Sequence, residues 1–353
     1  MPASDAPSVD TVTIEEHEVV RLREPATGSI AHVVPSRGSN VTRFATRPAG
    51  DPAREPIEVI AGPPTLETLA RLPTRWGAGM LFPYPGRVSG DAFEFRGRRI
   101  ALPADPQAGN AMHGAVRWRA WRVIDTGADA AGGAWVRTRL ASLEDGIPAS
   151  AWPWAFGCEL RIVLRAGRLR IEVRIENGSD EPMPFGLGFH PYLWTPLGPG
   201  GSAEDCEVAL AATERWERTS TPPAVVSLVS ADEWPCRGLP LSALIPNANT
   251  AAGPARNHKF ILRGDAEEPG GAMRGRLTDR ANGLVATLDA SEGMRATVFY
   301  TPPDAPVVSI EPHTCMPNAF NLMTEGVPDP GLIVLEPGAA WDGWYELRLE
   351  ALP

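Results

Sequence analysis

The 353-residue chain has six histidines, and two of them stand in unusual settings. His190 lies in Phe185-Gly-Leu-Gly-Phe-His-Pro-Tyr192, and His113 in Asn110-Ala-Met-His-Gly114. Proline disfavours helical backbone at the residue before it, so His190 is expected in an extended conformation. The glycines around it let a ligand approach closely. A carboxylate, Glu311, ends the apolar run Val307-Val-Ser-Ile310 and precedes Pro312. It therefore sits where a strand would leave its sheet, a common place for a functional side chain. Glutamate ionises near pH 4.3 and histidine near about 6.5, so the two types together suit proton transfer around neutrality. Taken singly, each has a plain structural explanation: a packed or surface histidine, a solvated strand end. Arg87, after the proline-stiffened Leu81-Phe-Pro-Tyr-Pro-Gly86, and Asn257, in Asn257-His-Lys-Phe260, add polar groups that are as readily structural as functional.

The elements that must hold these residues read as strands. In Arg168–Glu176, Leu169, Ile171, Val173 and Ile175 alternate with charged residues, and Glu159–Arg165 alternates in the same way apart from Val163. Period-two alternation marks half-buried strands. With Ala166-Gly167 between them, the two segments predict a β-hairpin. Trp344–Leu349 alternates again, and Ala134–Leu140, Val116–Val123, Arg295–Tyr300 and the short Phe260–Leu262 are further strand candidates. Helical periodicity is confined to Thr65–Leu72. The 35 glycines and 37 prolines are spread as turns between many strands would require. The expected architecture is all-β, a large antiparallel β-sandwich. It is expected as one domain over residues 1–353, with residues 1–12 loose.

Composition narrows the function classes. Hydrophobic residues make up 43% of the chain, ample for a core, and the net charge of −10 disfavours a nucleic-acid partner. All but one of the basic residues are arginines, so a single arginine is weak testimony to function. The four cysteines have no zinc-like spacing and fit reduced, buried thiols. No apolar run approaches a membrane span and the N-terminus has no secretory core. A cytoplasmic protein with no membrane partner is the expectation. No phosphate-binding glycine loop, dinucleotide fingerprint, zinc-protease or serine-hydrolase motif is present. Neither a cofactor nor a metal is called for.

Five segments in order give these residues a shared context: Gly79-Met-Leu-Phe-Pro-Tyr-Pro-Gly-Arg87, Asn110–Gly114, Met183–Tyr192, Asn257–Phe260 and Glu311-Pro-His-Thr-Cys-Met-Pro-Asn-Ala-Phe-Asn321. Together they resemble the aldose 1-epimerase (galactose mutarotase-like) family. The resemblance implies a twisted antiparallel supersandwich with an open cleft across one sheet. It implies that His190 acts as acid and Glu311 as base, and that Arg87 and His113 bind sugar hydroxyls. Asn257 stands where the family usually has an aspartate, which keeps a hydrogen-bonding group and loses its charge. Gly86 departs from the commoner asparagine before the arginine.

The implied reaction is mutarotation of an aldose, an isomerase activity of carbohydrate metabolism. The C1 hydroxyl loses a proton, the ring oxygen gains one, the ring opens, and it recloses on the other face. One base and one acid on opposite sides of the C1–O5 unit suffice. Trp76, Trp118, Trp152 and Trp154 lie near the motifs as candidates for a sugar-stacking platform. Three alternatives remain. A hexose 6-phosphate substrate would use Arg117 or Arg119 for its phosphate. A glycoside hydrolase would need a second carboxylate, and only Glu311 has a motif setting. A non-catalytic sugar-binding module would have no need of the His190–Glu311 pair.

Overall fold

The computed structural model describes residues 6–106, 108–211, 214–216, 228–230, 239–240, 272–302 and 304–352. Its strands form three main antiparallel sheets of five, nine and four strands. The chain begins in the five-stranded sheet, Ser8–Ile14, His17–Glu24, Ser29–Val34, Asn40–Thr46 and Ile57–Glu58. Ser8–Ile14 begins inside the stretch 1–12 expected to be loose. It is instead a full strand, because Val9, Val12 and Ile14 pack onto the core while Asp10 pairs with Arg21.

The predicted hairpin is present. Phe156–Arg165 pairs with Arg168–Asn177, closed by Arg165 opposite Arg168. Both turn residues have positive φ, 50° at Ala166 and 73° at Gly167, as a two-residue turn between right-twisted strands requires. Gly133–Ala141 and Ala340–Ala351 flank this hairpin in the nine-stranded sheet. The inward residues of these strands meet Leu22, Val33 and Phe44 of the five-stranded sheet in one continuous core, the sandwich expected. Outward, the same strands carry ion pairs: Arg137–Glu159, Arg161–Glu172, Arg168–Glu346 and Arg174–Asp342. Much of the arginine excess is thus spent on a solvated face, where each pair contributes about 0–1 kcal/mol.

Two sequence expectations fall differently. Val116–Val123 is not one strand: Val116–Trp118 forms a 3-10 turn and the strand starts at Arg122. Val116 and Arg117 are buried on that turn and Trp121 just after it, so packing overrides the strand preference of the valines and tryptophans. Thr65–Leu72 does yield a helix, Leu66–Arg71. Cys158, Cys206 and Cys315 are buried free thiols; Phe260–Leu262 and Cys236 lie outside the described residues. Among the described residues no helix is long and apolar enough to cross a membrane.

The four-stranded sheet positions the candidate site. Its order is Ala296–Tyr300, Val307–His313, Gly188–Trp194, Ala78–Leu81. Phe189, Leu193, Val308, Ile310 and Phe299 point into the core from one face. By strand alternation, the opposite face presents His190, Tyr192, Ser309, Glu311 and His313.

Candidate active site

His190 and Glu311 are brought together by register. Gly188 pairs with His313 and Tyr192 with Ser309, which sets His190 across from Glu311. Each is followed by a proline, Pro191 and Pro312, within an interior strand. Proline has no N–H to give a ladder and is ordinarily confined to sheet edges. The backbone rule is broken at the two positions where the side chains converge.

Nε2 of His190 lies 3.3 Å from Oε1 of Glu311. The other carboxylate oxygen, Oε2, lies 3.1 Å from Nε2 of His313. All three side chains are buried. Burial disfavours the imidazolium of His190 and pulls its pKa below the ordinary histidine value, while Glu311 opposes that shift. The ring of Tyr192 stacks on His190 at 4.6 Å, and Tyr300 meets it edge-on at 5.9 Å. Burial raises both tyrosine pKa values, so both phenols are neutral hydrogen-bonding groups at pH 7.

The two groups stand in direct contact. A carboxylate and an imidazole this close can exchange protons with neighbouring groups of one bound molecule. Gly188 makes the third member possible. A Cβ there would collide with the His313 ring, which lies directly across the ladder.

His113 stands on the facing wall, 5.8 Å from His190 between ring centroids. The Gly86 N–H donates to its Nδ1 at 3.1 Å. A nitrogen that accepts carries no proton, so His113 is held neutral with its proton on Nε2. Gly86 adopts φ 71°, and a Cβ there would come within 2.6 Å of Pro317 Cβ. Glycine is required at that turn. Arg87 follows, bridged through its backbone to Met112. Its Nε is buried without a hydrogen-bond partner among the described residues.

The cleft over this sheet has a volume of about 230 Å³ and is lined by His190, Glu311, His113 and Arg87 together. Asn257 lies outside the described residues. Arg117 reaches the cleft but is buried and ion-paired with Asp105. It also donates to the carbonyls of Met112 at 3.0 Å and Gly114 at 3.3 Å, the two residues flanking His113. The expectation that Arg117 or Arg119 binds a phosphate is therefore corrected: Arg117 clamps the His113 loop, and Arg119 does not line the cleft.

The tryptophan platform is corrected too. Trp152 and Trp154 are core residues, Trp76 packs on Tyr192 and Trp194, and Trp118 lies against Arg117. The aromatic lining is Tyr192 and Tyr300. Sequence reasoning missed these tyrosines, Ser309, His313 and Asp105. His313, Ser309 and Tyr192 are two residues from Glu311 or His190, so strand alternation alone would have placed them on the same face. Asp105 had no such signal. Among the described residues no cluster of three or more His, Cys, Asp or Glu side chains is arranged to hold a metal ion.

The family model described as aldose 1-epimerase matches residues 21–348. The chain belongs to the aldose 1-epimerase family. A galactose mutarotase-like protein of Clostridium acetobutylicum superposes with a TM-score of 0.82 at 20% identity, covering 99% of this chain and 100% of that one. The galactose 1-epimerase of Lactobacillus acidophilus NCFM gives a TM-score of 0.74 at 16% identity, covering 99% and 100%. These likenesses show the aldose epimerase fold. In sequence, the chain is similar to the uncharacterized protein YihR of Escherichia coli K12. Identity is 27% over 116 residues, which span 32% of this chain and 35% of that protein.

Proposed function

We propose that this protein is an aldose 1-epimerase that interconverts the α and β anomers of a sugar, with Glu311 as base and His190 as acid. The observation that carries the reading is the buried contact of 3.3 Å between His190 Nε2 and Glu311 Oε1 at the floor of the cleft. Glu311 takes the proton of the C1 hydroxyl while imidazolium His190 gives one to the ring oxygen. The C1–O5 bond breaks and C1 becomes an aldehyde carbon. Rotation about C1–C2 presents the other face, and ring closure runs the same transfers backward. Proton count and charge are unchanged over the cycle, because the proton gained by Glu311 equals the one lost by His190. Each positioned transfer is worth roughly 10²–10⁴-fold in rate.

His113 and Arg87 support the reading as hydroxyl-binding groups. The first is a neutral donor fixed by the Gly86 N–H, the second a cation with an unused donor. Asn257 is proposed with them on the family pattern alone. A binding-only module has no use for a buried acid–base contact. The test is polarimetry of freshly dissolved α-glucose and α-galactose. Wild type that accelerates neither these nor any phosphorylated aldose refutes the reading.

One observation favours a second reading, an aldose with an anionic substituent. Arg71, Arg75, Arg87 and Arg117 line the cleft against only Asp105 and Glu311 among the described residues, in a chain of net charge −10. Such a concave cation cluster attracts anions. The cations in question are Arg71 and Arg75 at the rim, Arg75 being paired with Asp304 there. Comparing kcat/KM for glucose and glucose 6-phosphate at low and high salt separates the two readings.

A further inference from the structure

Ser309 has a role that follows from counting protons. It is fully buried, directly across the ladder from Tyr192. Its Oγ lies 2.9 Å from Nδ1 of His190 and 2.9 Å from the carbonyl oxygen of Pro191. A serine hydroxyl has one proton and otherwise only accepts, and a carbonyl only accepts. The hydroxyl proton therefore goes to Pro191, and Oγ must accept from His190. Nδ1 of His190 consequently carries a proton in every state, and Nε2 is left as the nitrogen whose proton can come and go.

We propose that Ser309 is a positioning residue that locks His190 in the Nδ1–H form, so that the ring exchanges its proton only through Nε2. The inference rests on the acid–base reading above. Nε2 is the atom that faces Glu311, at 3.3 Å. In the locked form, His190 gives the Nε2 proton as an imidazolium and takes one back as a neutral ring. In the other tautomer, Nε2 already holds the neutral ring's proton, and releasing it would leave an imidazolate, which is out of reach at neutral pH. An unlocked ring would spend part of its time unable to run ring closure. Apart from the Glu311 carboxylate, which when ionised accepts from an Nε2–H and so opposes the Ser309 lock, the other groups facing the ring do not set this choice. Tyr192 and Tyr300 contact it through their rings, with the Tyr192 hydroxyl 3.5 Å from Nε2. His113 meets it edge-on, His313 acts through the far oxygen of Glu311, and Arg75 acts through its charge.

The experiment is long-range 1H–15N correlation spectroscopy of histidine-labelled protein above the pKa of His190, with His190→Gln assigning the signal. Wild type is expected to show a protonated Nδ1 and a bare Nε2. Ser309→Ala is expected to lose that pattern and to lower kcat for mutarotation roughly 10–100-fold, in the range typical of lost supporting hydrogen bonds, with KM little changed. Ser309→Thr, which keeps the hydroxyl, is expected to restore both. A wild-type spectrum with the proton on Nε2 overturns the proposal even if Ser309→Ala does not fold. So does a Ser309→Ala protein with the wild-type spectrum and kcat. If wild type shows the expected spectrum, lost in Ser309→Ala, yet turns over no aldose, the lock stands and the epimerase reading fails.

Discussion

The carboxylate of Glu311 is shared between two histidines, with His190 Nε2 3.3 Å from one oxygen and His313 Nε2 3.1 Å from the other. The second contact fixes the rotation of the carboxylate plane, and with it the lone pair offered toward the cleft. Glu311→Gln keeps the size and both neighbours but cannot accept a proton. Mutarotation measured by polarimetry is expected to fall about 10²–10⁴-fold in kcat, with the melting temperature little altered. Full activity in this variant would remove Glu311 from the mechanism.

How much of this was legible in the sequence depends on the kind of residue. Strand alternation in Glu159–Arg165 and Arg168–Glu176 gave the hairpin and its turn, because one buried face imposes a period of two. His190 and Glu311 stood out because each precedes a proline in an apolar, Gly-rich or β-branched run. Their partnership did not stand out. It depends on the pairing register of strands more than a hundred residues apart, which no local pattern encodes. Arg117 misled for the opposite reason. Its neighbour His113 suggested a ligand, whereas its partner Asp105 lies 12 residues earlier in a Pro/Gly loop whose fold brings the two together.

The Asp105–Arg117 pair sits under the His113 loop with both side chains almost fully buried, 2% and 3% exposed. Burial pulls the arginine pKa down and Asp105 opposes that shift. Removing one partner strands a buried charge, so Asp105→Ala is expected to cost about 3–5 kcal/mol. Urea denaturation measures this as a lowered midpoint. Asp105→Asn combined with Arg117→Met is expected to cost clearly less than Asp105→Ala alone. If Asp105→Ala unfolds at the wild-type midpoint, the ion pair does not hold the loop.

His32 gives the fold a pH dependence away from the cleft. Half-buried and close to Arg43, Arg21 and Arg23, with Asp10 as the opposing charge, its pKa is pushed down to about 4. Burial is the largest cause and the arginines add to it. The unfolded chain takes up this proton near pH 6.5, so between 6.5 and about 4 the unfolded state binds more protons and stability falls as the pH is lowered. Above 6.5 the contribution is fully present. Solvent screening of a half-buried site limits it to on the order of 1–2 kcal/mol. Thermal melts at pH 7 and pH 4.5 should differ less for His32→Gln than for wild type, and equal differences would show that His32 carries none of the slope.

Gly188 tests whether the packing of His313 matters to the pair it supports. Gly188 lies opposite His313 in the ladder, and a methyl group there would meet the imidazole ring. The backbone at Gly188 is not in the left-handed region, so alanine brings no conformational strain, only the collision. The ring, itself 1% exposed, has no room to retreat, and overpacking of this kind costs typically about 1–3 kcal/mol. Gly188→Ala is therefore expected to lower the denaturation midpoint and also to turn the Glu311 carboxylate as His313 is pushed aside. The readout that separates the two effects is kcat measured well below the unfolding transition. A fall in kcat at full folding, matched by His313→Ala alone and not deepened when the two changes are combined, identifies the lost His313 contact as the cause. If Gly188→Ala is destabilised but keeps wild-type kcat, His313 supports the fold and not the orientation of Glu311.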